Sequence, residues 1–213
     1  LINTGYLKLD HIHQKLKDNV FKEDSILLAP TLTSSLIDYN LDNYLNLIIQ
    51  ELLNDSKFKL IYRPHPGDVK DSKKNLIIKS ICEKYKDNKN FTLDVNISYL
   101  DSYKKSKILI TDFSGTAYTY AFSKLRPVIF FSKNENKLTR SDLNDLFYFN
   151  DRNNIGTIVQ NVEKLKDEVT SINKQIDFFS NKIELLRSKR IKYFNNSMQQ
   201  TLLNIINIIN DKN

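Results

Sequence analysis

The sequence is poor in the residues that mark several common protein classes. Its 213 residues include one cysteine, one methionine, four glycines, four prolines and no tryptophan. The lone Cys82 excludes an internal disulfide framework and a multi-cysteine zinc site, and it suits a reducing cytoplasm. Since no run of about 18 apolar residues occurs, we expect no membrane-spanning helix, and we expect no signal peptide. The chain opens at Leu1 without a methionine, so we expect it to be a piece of a longer protein.

The residues that are present indicate a folded domain with a modest excess of positive charge. Hydrophobic residues make up 40% of the chain, enough for a real core. Lysine and arginine number 32 against 25 acidic residues, giving a net charge of +7. Because this excess is scattered and forms no basic block, nucleic acid is a weak inference. An anionic ligand or an acidic membrane surface fits the charge equally well.

Short apolar runs alternate with helical patterns along the chain. The predicted strands are Ser25–Pro30, Lys59–Arg63, Phe91–Asp94, Ile108–Ile110, Pro127–Phe131 and Ile155–Val159. The first predicted helix ends near Val20. The later predicted helices cover Leu41–Leu53, Ser72–Tyr85, Tyr99–Lys105, Ser141–Phe147, Val162–Phe179 and Lys182–Ile209. Because the strands are apolar throughout rather than alternating, they indicate a buried and mainly parallel sheet. We therefore predict an α/β, Rossmann-like domain with helices on both faces of the sheet.

The same pattern predicts three segments. Residues 1–24 read as a linker and short helix arriving from a missing N-terminal domain. Residues 25–180 form the Rossmann-like domain. Residues 181–213 form a C-terminal helix that packs on this domain or on its missing partner.

The function is most readily placed at the turn that follows the apolar run Ile108–Ile110. The polar residues Asp112, Ser114, Gly115 and Thr116 stand between this strand and a helical pattern. Backbone N–H groups are exposed at a helix N-terminus, where the dipole is positive, so such a turn suits a phosphate. Asp112 and Ser114 are also good helix caps, and capping alone would explain them. Both interpretations remain open.

Other polar side chains follow the strands that neighbour this one. Thr31 follows the first strand, and Arg63 and His65 follow the second, where Pro64–Gly67 ends the strand and predicts a turn. Ligands of such sheets bind beyond the carboxyl ends of the strands. His65 could bind a phosphate, transfer a proton or only stabilise a rigid turn. Arg63 could fork onto a phosphate or form a salt bridge.

Five blocks of the sequence, taken in order, resemble the CDP-glycerol glycerophosphotransferase family, whose members build teichoic acids and related capsular polymers. In the first block the family favours the pattern Gly-x-Pro-Arg-x-Asp. The blocks are Thr4–Asp10, Ile26–Thr31, Arg63–Pro66, Ile110–Ser114 and Arg126–Phe131.

The resemblance implies that this chain is the C-terminal, donor-binding half of a GT-B architecture. The enzyme would transfer glycerol phosphate, or a related phosphopolyol or sugar, from a nucleotide-activated donor to a bacterial surface polymer. His65 and Ser114, with Gly115 and Thr116, would face the donor pyrophosphate. We expect no metal, no cofactor and no nucleic-acid partner. The expected location is the cytoplasm, with a peripheral contact at the inner face of the cell membrane.

The sequence departs from the family pattern at several positions. Gly115 stands where a second serine is usual, Thr119 lies near an expected acidic residue, and Leu32-Thr33 replaces Trp-Arg. These changes leave the donor open between CDP-glycerol, CDP-ribitol and a nucleotide sugar. Two other functions also remain open: a nucleotide-sugar epimerase of the same architecture, and a non-enzymatic domain that binds anions or nucleic acid.

Overall fold

The computed structural model describes residues 2–17, 21–32, 41–54, 57–138 and 146–210. Six parallel strands form one sheet in the order β3-β2-β1-β4-β5-β6. The strands are β1 (Ser25–Leu28), β2 (Lys59–Tyr62), β3 (Phe91–Leu93), β4 (Ser106–Thr111), β5 (Val128–Phe131) and β6 (Gly156–Val159). The predicted α/β fold with a parallel sheet is confirmed. Five strands fall within their predicted ranges, and β4 extends beyond the predicted Ile108–Ile110 at both ends.

Helices surround the sheet. The described helices before β5 are α1 (Leu7–Lys17), α2 (Leu45–Leu53), α3 (Pro66–Lys70), α4 (Ser72–Tyr85), α5 (Leu100–Lys105) and α6 (Thr116–Lys124). Those after β5 are α7 (Glu135–Leu138), α8 (Phe147–Asn150), α9 (Arg152–Ile155), α10 (Leu165–Lys174), α11 (Ile176–Arg190) and α12 (Ser197–Asn210). Two short 3₁₀ turns, Asp42–Tyr44 and Val162–Lys164, lead into α2 and α10.

The strand order reverses direction between β1 and β4. From β1 the chain moves outward through β2 to β3, then returns to β4 and moves the other way to β6. Right-handed crossovers in the two directions place their helices on opposite faces of the sheet. Accordingly, α5 and α6 pack against β4 with α1 over them, whereas α2 packs against β2 and contacts α10. The loops that follow β1 and β4 therefore separate and leave a crevice between them.

The central strands are buried on both faces, as their uninterrupted apolar sequences predict. β1 and β5 are buried at every position, and so is β4 except at Lys107. Ile26 pairs with Ile108, and Ile110 pairs with Ile129. Burying a whole side chain of this size stabilises the fold by roughly 1.5–3 kcal/mol. The same packing fixes the positions of the loops at the strand ends.

The helices agree with the sequence in part. α2, α4 and α5 fall within their predicted ranges, whereas α7 and α9 were not predicted. A short helix, α3, begins inside the predicted turn Pro64–Gly67, because Pro66 suits the first position of a helix. The predicted break at 180–181 is wrong, since α11 continues through it. The real breaks are at Gln175 and at 191–196, where Tyr193 and Asn195 have positive φ angles. Much of the predicted helix Ser141–Phe147 lies outside the described residues.

The last helix is anchored at its start but carries an exposed apolar surface. The buried carboxylate of Asp10 accepts the N–H groups of Asn195 and Ser197, at 2.8 and 2.9 Å, and so caps α12. The exposed apolar side chains of α12 are Met198, Leu202, Leu203, Ile205, Ile206, Ile208 and Ile209. Across the described helices, none combines the length and the apolar character needed to span a membrane.

We expect Gly156→Ala to destabilise the sheet severely. A Cβ atom built at Gly156 would lie 1.6 Å from the carbonyl oxygen of Val128 in β5, and backbone cannot move aside as a flexible side chain can. The β5–β6 pairing would have to shift, so the free energy of unfolding should fall by about 3 kcal/mol or more. Gly115→Ala is the matched control, since a Cβ atom there meets nothing within 4 Å. Equal urea midpoints for both variants would contradict this prediction.

Candidate functional site

The crevice between β1 and β4 is bridged by the buried side chain of Asp112, which directly follows β4. Its Oδ1 accepts the N–H of Thr31 and its Oδ2 accepts the N–H of Leu41, each at 2.9 Å. Thr111 adds a second link, because its hydroxyl donates to the carbonyl of Ala29 at 2.6 Å. Asp112 and Thr31 therefore join the two loops that border the crevice. Their predicted contact with a phosphate stays a prediction.

The turn before α6 is held by a side-chain hydrogen bond and by an aromatic neighbour. The hydroxyl oxygen of Ser114 accepts the N–H of Thr116 at 3.2 Å, although the N-cap residue of α6 is Gly115. The side chain of Asp112 bonds Thr31 and Leu41 instead, so the predicted capping by Asp112 is wrong. The carbonyl of Ser114 accepts the Tyr148 hydroxyl at 3.1 Å, and Phe113 packs on the Tyr148 ring. These contacts fix the N-terminus of α6 in front of the crevice. They leave open whether Ser114 also contacts a ligand.

His65 is the N-cap of α3. Its Nδ1 accepts the N–H of Gly67 at 3.0 Å. A neutral imidazole bonded in this way carries its proton on Nε2. A Cβ atom at Gly67 would lie 3.1 Å from His65 Nδ1, so the absence of a side chain there lets the ring approach the backbone. Within the described ranges, Nε2 has no partner, and it is available to donate to a ligand.

Arg63 is nearly buried at the end of β2. It forms an ion pair with Asp94 at 2.7 Å and donates to the carbonyl of Asn96 at 2.8 Å. The salt bridge that the sequence left open is therefore present. It does not take Arg63 out of the candidate site, because this side chain also borders a cavity.

One cavity of about 380 Å³ brings together three of the residues predicted from the sequence: Arg63, His65 and Thr116. The hydroxyl of Thr116 has no hydrogen-bond partner in the part of the chain that is described. Thr31, Asp112 and Ser114 lie beside this cavity without lining it. Gly115 lines an adjacent aromatic cavity of about 400 Å³, which shares Thr119 with the first.

The sequence analysis missed two polar residues that line the same cavity. Lys8 comes from the second residue of α1, and Thr119 lies one turn into α6. The signal for Lys8 was its place in the first family-like block, where the usual residue is also basic. With Lys8 and Arg63 the cavity has two cationic side chains, and none of its lining residues is acidic. Such a lining favours an anion. Among the described residues, no cluster of side chains could hold a metal ion.

We expect the ionisation of Asp112 to make stability depend on pH. Burial raises the pKa of this carboxyl to about 6, an increase that the N–H groups of Leu41 and Thr31 offset only in part. Between about pH 4 and 6 the folded protein then binds more protons than the unfolded chain, so the free energy of unfolding falls as pH rises. The loss should reach at most about 3 kcal/mol. Urea unfolding between pH 4 and 7.5 measures it, and Asp112→Asn should lack this component. An identical pH profile in the variant would contradict the assignment.

A parallel sheet whose strand order reverses at its centre defines the class of Rossmann-like α/β domains. Residues 1–207 match the model of the family described as CDP-Glycerol:Poly(glycerophosphate) glycerophosphotransferase. The chain belongs to this family. The predicted resemblance is confirmed.

The chain is also similar to solved structures. The wall teichoic acid polymerase TagF, in a crystal of a variant soaked with CDPG, is 25% identical with a TM-score of 0.53. The match covers 93% of this chain and 44% of TagF. Another TagF structure is 23% identical with a TM-score of 0.55, over 93% of this chain and 45% of TagF. The chain thus spans less than half of the TagF length.

A third structure shares the fold at a lower identity. The UDP-GlcNAc 2-epimerase of Methanocaldococcus jannaschii, in complex with UDP-GlcNAc and UDP, is 18% identical with a TM-score of 0.54. The match covers 96% of this chain and 54% of the epimerase. The likeness to TagF and to the epimerase, together with the six-stranded parallel sheet, confirms the predicted Rossmann-like fold class. No curated protein matches the sequence significantly.

Proposed function

We propose that this chain is the donor-binding half of a transferase. The enzyme moves glycerol phosphate, or a related phosphopolyol or sugar, from a CDP-linked or other nucleotide-activated donor onto a cell-surface polymer. Family membership supports this proposal. The observation that carries it is the convergence of Arg63, His65, Thr116 and Lys8 on one cavity at the switch point of the sheet. A donor diphosphate is the anion that these cations and hydrogen-bond donors would bind.

For a glycerol phosphate or other phosphopolyol donor, the proposed reaction is a displacement at phosphorus. A hydroxyl oxygen of the acceptor attacks the phosphorus atom of the group to be transferred. A new P–O bond forms, the P–O bond to the nucleotide breaks, and the nucleotide leaves with the electron pair. The acceptor proton goes to a base. Negative charge grows on the leaving nucleotide, where Arg63, Lys8 and the N-terminus of α6 would stabilise it.

The contacts of His65 favour the role of hydrogen-bond donor over that of general base. A base needs a ring nitrogen with a free lone pair, but Nδ1 already accepts from Gly67. Nε2–H can donate to a phosphate oxygen without breaking this bond. We therefore propose that His65 stabilises charge on the donor phosphates and that the base comes from elsewhere.

The base and the acceptor site would belong to a second half of the enzyme. In a two-domain transferase, closure of the cleft assembles the reacting groups. The exposed apolar face of α12 would offer part of the contact surface for that half. On this proposal the present chain binds a nucleotide but does not catalyse transfer alone. A peripheral membrane contact stays a prediction.

The epimerase hypothesis has less support. The epimerase likeness is a likeness of fold at 18% identity, whereas the family match covers residues 1–207. Incubation of the longer protein with a nucleotide sugar and no acceptor separates the two hypotheses, since an epimeric product would favour the epimerase. DNA binding that weakens steeply with salt would instead favour the non-enzymatic hypothesis.

We expect Thr116→Val to weaken the binding of CDP while leaving the fold intact. The variant removes a hydroxyl that lines the cavity and keeps the side chain nearly the same size. A hydrogen bond to a charged phosphate contributes roughly 1.5–3 kcal/mol. Thr170→Val in α10 is the matched control, because that hydroxyl donates within its own helix, to the carbonyl of Lys166. Calorimetric titration with CDP and UDP measures the effect, and equal affinities in both variants would remove Thr116 from the site.

We expect His65→Asn to keep the N-cap of α3 and to remove the proposed hydrogen bond from Nε2 to the donor phosphate. Asparagine is a good N-cap, so α3 and the melting temperature should be retained, but its shorter side chain cannot place a donor where Nε2 lies. Turnover should fall by about 10²-fold or more. The assay measures the transfer of label from CDP-glycerol to a poly(glycerol phosphate) acceptor. It compares the longer protein, which extends upstream of Leu1, with this chain alone. Normal turnover in the variant would show that His65 is only structural. Equal transfer by the isolated chain would contradict the half-enzyme proposal.

A further inference from the structure

Arg63 is held at the cavity by acceptors from one neighbouring segment. Besides Asp94, it donates to the carbonyls of Asn96 at 2.8 Å and Ile97 at 3.3 Å. These bonds account for three of the five guanidinium N–H groups. The residue is buried and lines the cavity that His65 and Thr116 also line. Its orientation is therefore set by the segment that follows β3.

Asp94 organises that segment. Its Oδ2 accepts from Arg63 and from the hydroxyl of Ser102 in α5. Its Oδ1 accepts the backbone N–H of Asn96 at 3.0 Å and the side-chain amide of Asn96 at 2.9 Å. Burial raises the pKa of this carboxyl, but the bonds from Ser102, Asn96 and Arg63 outweigh burial and hold it below its ordinary value. Asp94 is therefore an anion that joins the ends of β2 and β3 to α5.

We infer that Asp94 is a positioning residue of the donor site. With Ser102, it fixes the guanidinium of Arg63 so that the remaining N–H groups can donate to a donor phosphate. This inference rests on the proposed function of the cavity. A merely structural ion pair would look similar in isolation, so the experiment must separate the two roles.

The structure contains a matched structural pair away from this cavity. Arg152 and Glu135 form a buried ion pair between α9 and α7, with side-chain exposures of 5% and 9% against 9% and 9% for Arg63 and Asp94. Neither Arg152 nor Glu135 lines the cavity. Glu135→Gln therefore imposes a similar loss of a buried charge without touching the proposed site.

The experiment measures CDP affinity by calorimetry for the wild-type chain, Asp94→Asn, Ser102→Ala, Arg63→Ala, Glu135→Gln and the double variant Asp94→Asn/Arg63→Ala. Circular dichroism confirms that each is folded. We expect Asp94→Asn and Arg63→Ala each to raise Kd by about tenfold to a hundredfold. Ser102→Ala should raise it less, and Glu135→Gln should leave it unchanged. Because Asp94 acts through Arg63, the double variant should bind as Arg63→Ala does.

Each departure from these results has a defined meaning. Unchanged affinity in Asp94→Asn, or a double variant whose Kd shows the full product of both losses, would overturn the positioning role and leave the proposed function standing. An equal loss in Glu135→Gln would show a general effect of destabilisation and overturn it too. If Asp94→Asn does not fold, unchanged affinity in Ser102→Ala overturns the inference. A wild-type chain that binds no CDP would overturn both proposals.

Discussion

The constraint on which the site depends is the reversal of strand order between β1 and β4. Parallel strands that extend in both directions from this point must send their connections to opposite faces, which opens the sheet edge between them. The opening would cost stability if its backbone groups were unpaired. Asp112 and Thr111 prevent this by pairing with the loop after β1. The crevice is therefore a fixed part of the structure before any ligand binds.

Different parts of this arrangement were accessible from the sequence to different degrees. The strands were predictable because β5 and the central residues of β1 and β4 are apolar runs, and their order along the chain indicated a parallel sheet. The rule that ligands bind beyond the carboxyl ends of the strands predicted the convergence of Thr31, His65 and Ser114, and of these three His65 lines the cavity. A helix break was predicted at 180–181, but α11 continues through these two residues. The prediction was wrong because this polar pair lies on a part of the helix surface that needs no apolar residue.

The contacts of the individual side chains were not predictable. The sequence could not show that Arg63 pairs with a protein carboxylate, because its partner Asp94 is 31 residues away in the sequence and follows the neighbouring strand of the sheet. Lys8 and the turn before α6 are separated by an even longer stretch of sequence. Lys8 reaches the cavity because α1 packs against α6. Pairings of this kind depend on which strands are neighbours, and a single sequence does not state that order. The resemblance to a family indicated the blocks that meet, but not the bonds between them.

The charges of the cavity suggest which steps of the proposed reaction would use this chain and which would use a second half of the proposed transferase. The cavity holds two cations, hydroxyl groups and one histidine, and its only imidazole nitrogen with a lone pair is already bonded to Gly67. Asp94 and Asp112 do not line this cavity, and each of their carboxylates accepts hydrogen bonds from the protein on both oxygens. The cations and hydroxyl groups of the cavity suit the binding of a diphosphate and the stabilisation of a leaving nucleotide. No carboxylate among the lining residues could take the proton of an acceptor hydroxyl. On the proposed function, a donor-binding half that lacks a base would also limit hydrolysis of the donor by water, and transfer would begin only when a second half supplies both the acceptor and the base.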